Sequence, residues 1–356
     1  MESERILAFV DNHSAEAVLA TVIRVQGHAY RKEGAAMLLT EDGRRIGSIS
    51  PGCLEADLHA RVAAVLGAGV HEVVDYNMRP EEDFVWGEEI GCGGEIRILL
   101  EPLTETLRGL LREIGRQVRR GERVRLVRRE AEGRLRYRLE PAEARLDGVA
   151  DQALPVAGSV SRHNEAGLPA SGSPFAMPAS GCQRADCETD GALSFTSEFA
   201  PPERLVIFGA GDEAAAVEEL ARGVGFRTVV ADWRPALCNP GRFPHAATLV
   251  GEPERIMSDL RIGASDYIMI GSHHLRRDRE MAALVMPLKP AYVGIVGSAR
   301  RVGLVLGGMA PEPFVSGPIG LAIGAEGAEE IAVSVAAELI SWRIRLRAAD
   351  PSRRKA

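Results

Sequence analysis

Hydrophobic and polar positions alternate with different periods along the chain, and the second half shows the clearest pattern. Short apolar runs that suit buried parallel strands are separated there by stretches of helical periodicity. The first run spans 204–208, and later runs at 267–270 and 292–295 each lead into a Gly-Ser turn. This alternation predicts a Rossmann-like, doubly wound parallel sheet. A long helix is predicted near the end of the chain, from about Gly327 to Arg347.

The turn after the first apolar run has the glycine spacing of a dinucleotide-binding turn. Gly209, Gly211 and Ala214 match the G-x-G-x-x-G/A pattern, and Asp232 stands at the end of the second predicted strand, where that pattern places an acidic residue. An Asp-Glu pair directly follows the second glycine, however, and two carboxylates repel a pyrophosphate unless they turn away. The turn therefore supports the fold more strongly than it supports NAD(P). An NAD(P)-dependent oxidoreductase remains the alternative function.

The first 140 residues predict a smaller α/β domain. "AVLATVIRV" and "EIRILLEP" have the composition of strands, and Asp42-Gly43 marks a hairpin. A second hairpin is predicted in "RVRLVRREAEGRLRYRLE", which has one apolar face. Its other face carries five arginines, namely Arg123, Arg125, Arg134, Arg136 and Arg138. Such a face is either the solvated side of an exposed hairpin or a surface that docks a partner or an anionic ligand.

Between the two halves the periodicity fades into a segment rich in Gly, Ser, Pro and Ala. This composition is typical of a linker or a long irregular insertion. We therefore expect an N-terminal domain with the arginine-rich hairpin at 1–140, a linker or insertion at 141–200, a Rossmann-like domain at 201–347 and a basic tail at 348–356.

Two cysteines stand next to glycines in the first half. In "GSISPGCLEADL", Ser50 is predicted as a helix N-cap, Pro51 as the first helical residue and Cys53 as part of the first turn, with the helix running to about Leu66. A helix N-terminus favours the thiolate, which is the nucleophilic and metal-binding form of cysteine. The plain alternative is a small, half-buried apolar residue. Cys92 lies in the similar context "GCGG".

Polar residues follow the later predicted strands, at the edge where doubly wound sheets bind ligands. Arginines beside a Gly-Ser turn suit a phosphate or another oxyanion. The plain alternatives are a polar loop with surface histidines and a solvated helix start. The candidates are Ser272 and His273 in the first turn, and Gly297, Ser298, Arg300 and Arg301 in the second.

Composition narrows the function classes. A formal net charge of −7 and a pI near 5.7 argue against a nucleic-acid binder. No apolar stretch approaches the length of a membrane span, and the N-terminus lacks the features of a secretory signal. The 5 cysteines are scattered, without the spacing of a metal finger, which indicates reduced thiols and a cytoplasmic protein.

Five motifs together resemble the xanthine dehydrogenase accessory family of the XdhC/CoxI type. They are "GSISPGCLEADL", "GCGGEIRILLEP", "LVIFGAG…VVADWRP", "YVGIVGSARR" and "PIGLAIGAEGAEEIAVSVAAELI". The resemblance covers about residues 15–101 and 203–342. Two details differ from the usual pattern of the family: Asp212 replaces a His or Pro after "GAG", and "GSARR" replaces "GSRR".

The resemblance implies a maturation factor that binds the molybdenum cofactor and assists its sulfuration and insertion into a xanthine dehydrogenase-type molybdenum hydroxylase. It implies this hydroxylase and a cysteine desulfurase as partners, and we also expect a homodimer. Cys53 and Cys92 would ligate molybdenum or carry sulfur. Glycine turns and polar strand ends would hold the anionic cofactor, namely Gly52, Gly91, Gly93, Gly209, Gly211, Asp232, Ser272, His273, Gly297, Ser298, Arg300 and Arg301.

Overall fold

The computed structural model describes residues 2–78, 94–142, 193–310 and 312–349, which form two compact units. The N-terminal unit contains four helices and eight strands within these ranges. Its elements are α1 (Glu2–Asn12), β1 (Ala17–Gln26), β2 (Ala36–Thr40), β3 (Arg45–Gly47), α2 (Glu55–Ala60), α3 (Val62–Ala68), β4 (Glu72–Asn77), β5 (Glu95–Pro102), α4 (Glu105–Arg119), β6 (Val124–Ala131), β7 (Arg134–Pro141) and β8 (Ser194–Phe199).

An antiparallel sheet with the strand order β3-β2-β1-β5-β4 forms the centre of this unit. Successive residues of β1 face opposite sides, as the period of a strand requires. Val18, Ala20 and Val22 pack with α2 and α3, whereas Ala17 and Leu19 pack with α1 and α4. Both faces of the sheet are therefore covered, which explains why β1 is apolar almost throughout.

A second, three-stranded sheet has the order β7-β6-β8. The predicted arginine-rich hairpin forms β6 and β7, with Val124 paired to Pro141 and Ala131 to Arg134. Strand β8 lies inside the range 141–200 that was predicted to be a linker or an irregular insertion, and it pairs along β6 from Phe199 to Ser194. This part of the range is therefore regular structure, recruited to the sheet through contacts with residues far away in the sequence.

The helix predicted at Pro51 begins later than expected. Its first helical residue is Glu55, so Cys53 lies in the turn before the helix, and Arg61 separates α2 from α3. The buried Glu55 carboxylate accepts hydrogen bonds from the Ile49 N–H at 3.2 Å, the Ser50 N–H at 2.8 Å and the Ser50 hydroxyl. These bonds hold the preceding chain in a turn. Cys53 therefore lies outside the helix, and the prediction that its thiol sits in the first helical turn is wrong.

The C-terminal unit begins at Pro202 in the described chain and alternates strands with helices. A short 3-10 helix, Met286–Leu288, precedes its fifth strand. The elements are β9 (Arg204–Phe208), α5 (Asp212–Gly223), β10 (Arg227–Asp232), β11 (Ala247–Val250), α6 (Pro253–Leu260), β12 (Tyr267–Ile270), α7 (Leu275–Val285), β13 (Tyr292–Ile295), α8 (Ala299–Leu306), β14 (Val315–Ser316) and α9 (Gly327–Ala349).

Its six strands form a parallel sheet in the order β11-β10-β9-β12-β13-β14. Helices α5 and α9 contribute Val217, Val335 and Leu339 to the core on one face, and helices α6, α7 and α8 cover the other. The predicted Rossmann-like, doubly wound sheet is thus confirmed. The chain reverses its direction of winding between β9 and β12, and ligands of such sheets bind in the crevice at this point.

Candidate functional site

The turn after β9 lies directly against the turn after β12. Gly209 has a φ of +114°, and a Cβ added there would lie 2.5 Å from the Gly271 carbonyl oxygen and 2.6 Å from the Ser272 Cα. Only glycine permits this approach and this backbone conformation together. The glycine spacing found in the sequence therefore serves to bring two strand-end turns together at the crevice.

Asp232, at the end of β10, is fully buried and already engaged. Its carboxylate accepts hydrogen bonds from the Ala210 N–H at 2.8 Å and the Arg234 N–H at 2.8 Å, and from the Arg234 guanidinium at 2.9 and 2.7 Å. Burial acts to raise the pKa of Asp232, but these hydrogen bonds outweigh it and hold the pKa below its ordinary value. The residue therefore holds the glycine turn in place.

The two carboxylates after Gly211 turn towards an arginine and a histidine. Asp212 forms an ion pair with Arg242, and the Glu213 Oε2 lies 3.1 Å from the His273 Nε2. His273 has a φ of +60°, an uncommon backbone conformation for a residue with a side chain, which is enriched at functional sites. His273 thus faces the first turn of α5 from the turn after β12.

A buried polar chain joins three elements at the same edge. The Asp278 carboxylate of α7 accepts hydrogen bonds from the Ser272 N–H at 3.1 Å, from the Ser272 hydroxyl, and from the Arg301 Nη2 of α8 at 2.5 Å. The Arg301 side chain passes over Gly297, where an added Cβ would lie 2.5 Å from the Arg301 Cδ. Arg301 is therefore a fixed structural cation, whereas the neighbouring Arg300 is exposed to solvent.

Ser298 caps α8, because its hydroxyl accepts a hydrogen bond from the Arg301 N–H at 3.3 Å. Helix α5 differs in this respect, since its N-cap is Gly211 and no side chain caps it. The N–H groups of its first turn therefore have no capping side chain, and such groups bind anions readily.

Three further residues lie at this edge that were not among the candidates from the sequence, namely Trp233, Arg234 and Arg277. The Arg234 and Arg277 guanidinium carbons lie 4.4 and 4.3 Å from the centre of the Trp233 ring. Arg277 also donates two hydrogen bonds to Glu252, which lowers the pKa of this carboxyl. The adjacent "DWR" residues gave a local signal for Trp233 and Arg234, whereas the approach of Arg277 depends on the packing of α7.

The structure therefore brings together most of the predicted strand-end residues. Contacts link Gly209, Gly211, Asp232, Ser272, His273, Gly297, Ser298 and Arg301, with Arg300 beside them. We refer to this set as the strand-end site. Four arginines at this edge are paired with carboxylates, so their positive charge is largely balanced within the site.

The other candidates belong to the N-terminal unit. Cys53 is half-buried and lines a small depression together with Tyr30, Arg31, Pro51 and Met78. Gly52 has a φ of +133° and is exposed beside it. Cys92, Gly91 and Gly93 lie outside the described residues. Within the described ranges, no group of three or more His, Cys, Asp or Glu side chains is arranged to hold a metal ion.

The parallel sheet and its glycine turns define an α/β protein of the Rossmann class with a site at the strand ends. The chain also matches two family models, the XdhC Rossmann domain over residues 205–339 and the XdhC and CoxI family over residues 12–77. It belongs to the XdhC and CoxI family. No helix in the part of the chain that the structure describes is long and apolar enough to cross a membrane.

Relatives and a solved structure support this assignment. A probable xanthine dehydrogenase subunit of Bacillus subtilis is 33% identical over 93% of this chain and 94% of its own. The molybdenum cofactor insertion chaperone PaoD of Escherichia coli is 25% identical over 92% of this chain and 84% of its own. A crystal structure of a xanthine dehydrogenase from Bacillus halodurans superimposes with a TM-score of 0.79 at 33% identity, over 98% of this chain and 97% of the other.

Proposed function

We propose that this protein binds the molybdenum cofactor as cargo and assists its sulfuration and its insertion into a xanthine dehydrogenase-type molybdenum hydroxylase. The observation that carries the proposal is the similarity to an insertion chaperone along almost the whole chain. The strand-end site supports it independently, because the crevice of a doubly wound sheet is a ligand-binding position.

The residues of the strand-end site fit an anionic cargo with a phosphate group. The uncapped first turn of α5 offers backbone N–H groups, and Arg300 offers an exposed guanidinium group. We therefore assign phosphate and oxyanion contacts to these groups.

The balanced charge of the site agrees with a carrier that must release its cargo. Arg234, Arg277 and Arg301 are each held by a carboxylate, so an anion gains little from them unless it displaces that partner. Binding then depends on a few N–H groups and Arg300. A site of this kind binds an anion weakly enough to pass it on to a recipient protein that binds the anion more tightly.

Asp232 weighs against the alternative of an NAD(P)-dependent oxidoreductase. A dinucleotide-binding site uses the acidic residue at the end of its second strand for a ribose hydroxyl. Here both Asp232 oxygens accept hydrogen bonds from Ala210 and Arg234, and the side chain is fully buried. A ribose hydroxyl would have to displace these bonds, so the crevice suits a different anion better than NAD(P).

For sulfuration, we assign sulfur transfer or molybdenum ligation to Cys53, with Cys92 as the second candidate. In sulfur transfer, the Cys53 thiolate attacks the outer sulfur of a persulfide on a cysteine desulfurase. A Cys53 persulfide forms, and the desulfurase cysteine leaves as a thiolate. The partial exposure of Cys53 supports this access. The proposal also assumes a cytoplasmic protein that acts as a homodimer.

The decisive experiment is cofactor analysis of the purified protein together with an activation assay. We expect bound pterin and molybdenum, and we expect the protein to raise the activity of a cofactor-free molybdenum hydroxylase supplied with cofactor. Arg300→Ala should lower the bound pterin, while Arg255→Ala, on an exposed arginine of α6, should not. Bound NAD(P) without pterin would support the oxidoreductase instead.

Substitution of Cys53 tests the role of the thiol. We expect Cys53→Ser to fold normally and to lose most of the activation of the hydroxylase. Cys238→Ser is the matched control, because this buried thiol donates only to the backbone carbonyls of Val230 at 3.3 Å and Leu249 at 3.5 Å. The control should lose stability and retain activation per folded molecule. Full activation by well-folded Cys53→Ser would exclude an essential thiol at this position.

A further inference from the structure

One face of the three-stranded sheet carries a concentration of arginines that the strand-end site does not use. The inner face packs into the core through Val124, Leu126 and Phe195. The opposite side chains point outward, as strand alternation requires. We refer to them as the arginine face, which consists of Arg123, Arg125, Arg129, Arg134, Arg136 and Arg138.

Strand register places like charges opposite one another on this face. Arg129 of β6 is the direct partner of Arg136 of β7, and Arg134 and Arg138 are the diagonal neighbours of Arg129. Like charges directly opposite in an antiparallel pair are destabilising. The arrangement therefore lowers the stability of the fold, and a purely structural role of the hairpin does not explain it.

Carboxylates neutralise the positive charge of only some of the arginines on the arginine face. Glu198 of β8 lies 2.5 Å from Arg123 and 3.8 Å from Arg125, and Glu140 pairs with Arg138. The Glu132 carboxylate, highly exposed in the turn, is 3.7 Å from Arg136. Within the described ranges, Arg129 and Arg134 are without an ion-pair partner. An excess of positive charge therefore remains near the tip of the hairpin, although the whole chain carries a net charge of −7.

The nature of the face favours a protein partner over a polyanion. The carboxylates among its arginines would repel a continuous row of phosphates, and its described strand positions present no aromatic ring for stacking on bases. A protein surface with scattered acidic side chains can instead meet each uncompensated guanidinium with a carboxylate.

We propose that the arginine face docks an acidic surface of the molybdenum hydroxylase, an inference that rests on the proposed function. The guanidinium groups of Arg129, Arg134 and Arg136 form the centre of this contact, since the sheet itself compensates them least. Docking supplies the carboxylates that the hairpin lacks, so the repulsion between Arg129 and Arg136 is relieved only in the complex.

The test is the binding of the cofactor-free hydroxylase to the full-length protein, measured by biolayer interferometry at two ionic strengths. We expect Arg129→Glu/Arg136→Glu to weaken binding by about tenfold or more at low salt, with a smaller difference at high salt. The control is Arg44→Glu/Arg116→Glu, which makes the same change of charge on two exposed arginines elsewhere in the unit. The control should change the affinity by less than about twofold.

A single substitution separates docking from folding. Arg136→Glu places opposite charges at one register position, so we expect a higher thermal midpoint together with weaker binding of the hydroxylase. Equal binding by the wild-type protein and the double variant would overturn the inference, as would an equal loss in the control. If the double variant instead lost self-association, or binding to a single-stranded oligonucleotide, with hydroxylase affinity intact, the face would serve another partner.

Cofactor content keeps the two proposals distinguishable. All three variants should retain the bound pterin and molybdenum of the wild-type protein, because the substituted arginines are not among the residues assigned to the strand-end site. If the wild-type protein binds the cofactor but not the hydroxylase, the docking inference fails and cofactor binding stands. A wild-type protein that binds neither would overturn the proposed function itself.

Discussion

At the scale of single residues, the strand-end site depends on groups that hold one another. The Asp278 carboxylate accepts hydrogen bonds from Ser272 and Arg301. The Asp232 carboxylate accepts hydrogen bonds from Ala210 and Arg234. Each carboxylate is buried, so the loss of one partner leaves a polar group with neither water nor protein to satisfy it. These residues set the shape of the crevice, and the groups left for a ligand are backbone N–H groups and Arg300.

Gly209 gives the first prediction. Gly209→Ala adds a Cβ against the Gly271 backbone in an unfavourable backbone conformation, so we expect a loss of about 2–4 kcal/mol in the free energy of unfolding. Chemical denaturation measures it. In the control Gly223→Ala, an added Cβ meets no atom within 4 Å, and stability should change by no more than about 1 kcal/mol. Equal effects of the two substitutions would contradict the close contact of the two turns.

Asp232 gives a prediction about pH. Its folded pKa is lowered, so its charge contributes stability that is complete above the ordinary carboxyl pKa and is lost as the pH falls through the folded value. We expect Asp232→Asn to cost about 1–3 kcal/mol at neutral pH. The gap to the wild-type protein should narrow below about pH 4. Unfolding curves measured across this range check it, with the exposed Asp259→Asn as control. A gap that widens in acid would refute the prediction.

At the scale of elements, one buried ion pair joins the two sheets of the N-terminal unit. The Arg128 Nε of β6 lies 2.9 Å from both carboxylate oxygens of Glu101 of β5, and its Nη1 donates to the Ser197 hydroxyl of β8 at 2.9 Å. Burial and the nearby Glu101 raise the pKa of Tyr137 on β7. Arg128 was not among the residues singled out in the sequence, because strand alternation places it on the apolar face while its partner Glu101 comes from a separate sheet.

A double-mutant cycle measures the value of this pair. Arg128→Met alone leaves the fully buried Glu101 carboxylate uncompensated, so we expect a loss of about 3–5 kcal/mol in the free energy of unfolding. Glu101→Leu/Arg128→Met should lose less than either single substitution, because no unpaired charge remains buried. Additive losses would indicate that the two side chains stabilise the fold independently of each other.

At the scale of the whole molecule, each unit has its own hydrophobic core. The N-terminal clusters draw on the five-stranded and three-stranded sheets and their helices, and the C-terminal clusters lie on the two faces of the parallel sheet. A unit with its own core is expected to unfold cooperatively.

We therefore expect two transitions when the full-length chain is heated in a calorimeter. Arg128→Met should lower the midpoint of one transition, and Gly209→Ala should lower the midpoint of the other. Each variant should leave the remaining transition unchanged within about 1–2 °C. A single transition that both substitutions move equally would show that the two units unfold together.

Much of the fold could be predicted from the sequence, because the apolar runs and glycine turns that indicate it involve only neighbouring residues. The apolar runs at β9, β12 and β13 and the glycines after them predicted the parallel sheet correctly. The helix at Cys53 was misplaced because a buried carboxylate, Glu55, ties back the turn before it. Strand β8 was missed because it is short, follows a segment rich in Gly, Ser, Pro and Ala, and takes its register from β6.

The sequence by itself determined the alternation of strands and helices in the C-terminal unit, the glycine turns and the family, because hydrophobic period and backbone freedom depend on residues close together in the chain. Tertiary structure alone decided which polar and charged side chains pair with one another. It paired Glu213 with His273, Asp278 with Arg301, and Arg128 with Glu101, across 23 to 60 positions of sequence. Whether a polar side chain holds the fold or remains available for a ligand depends on which distant groups reach it, and only packing fixes that.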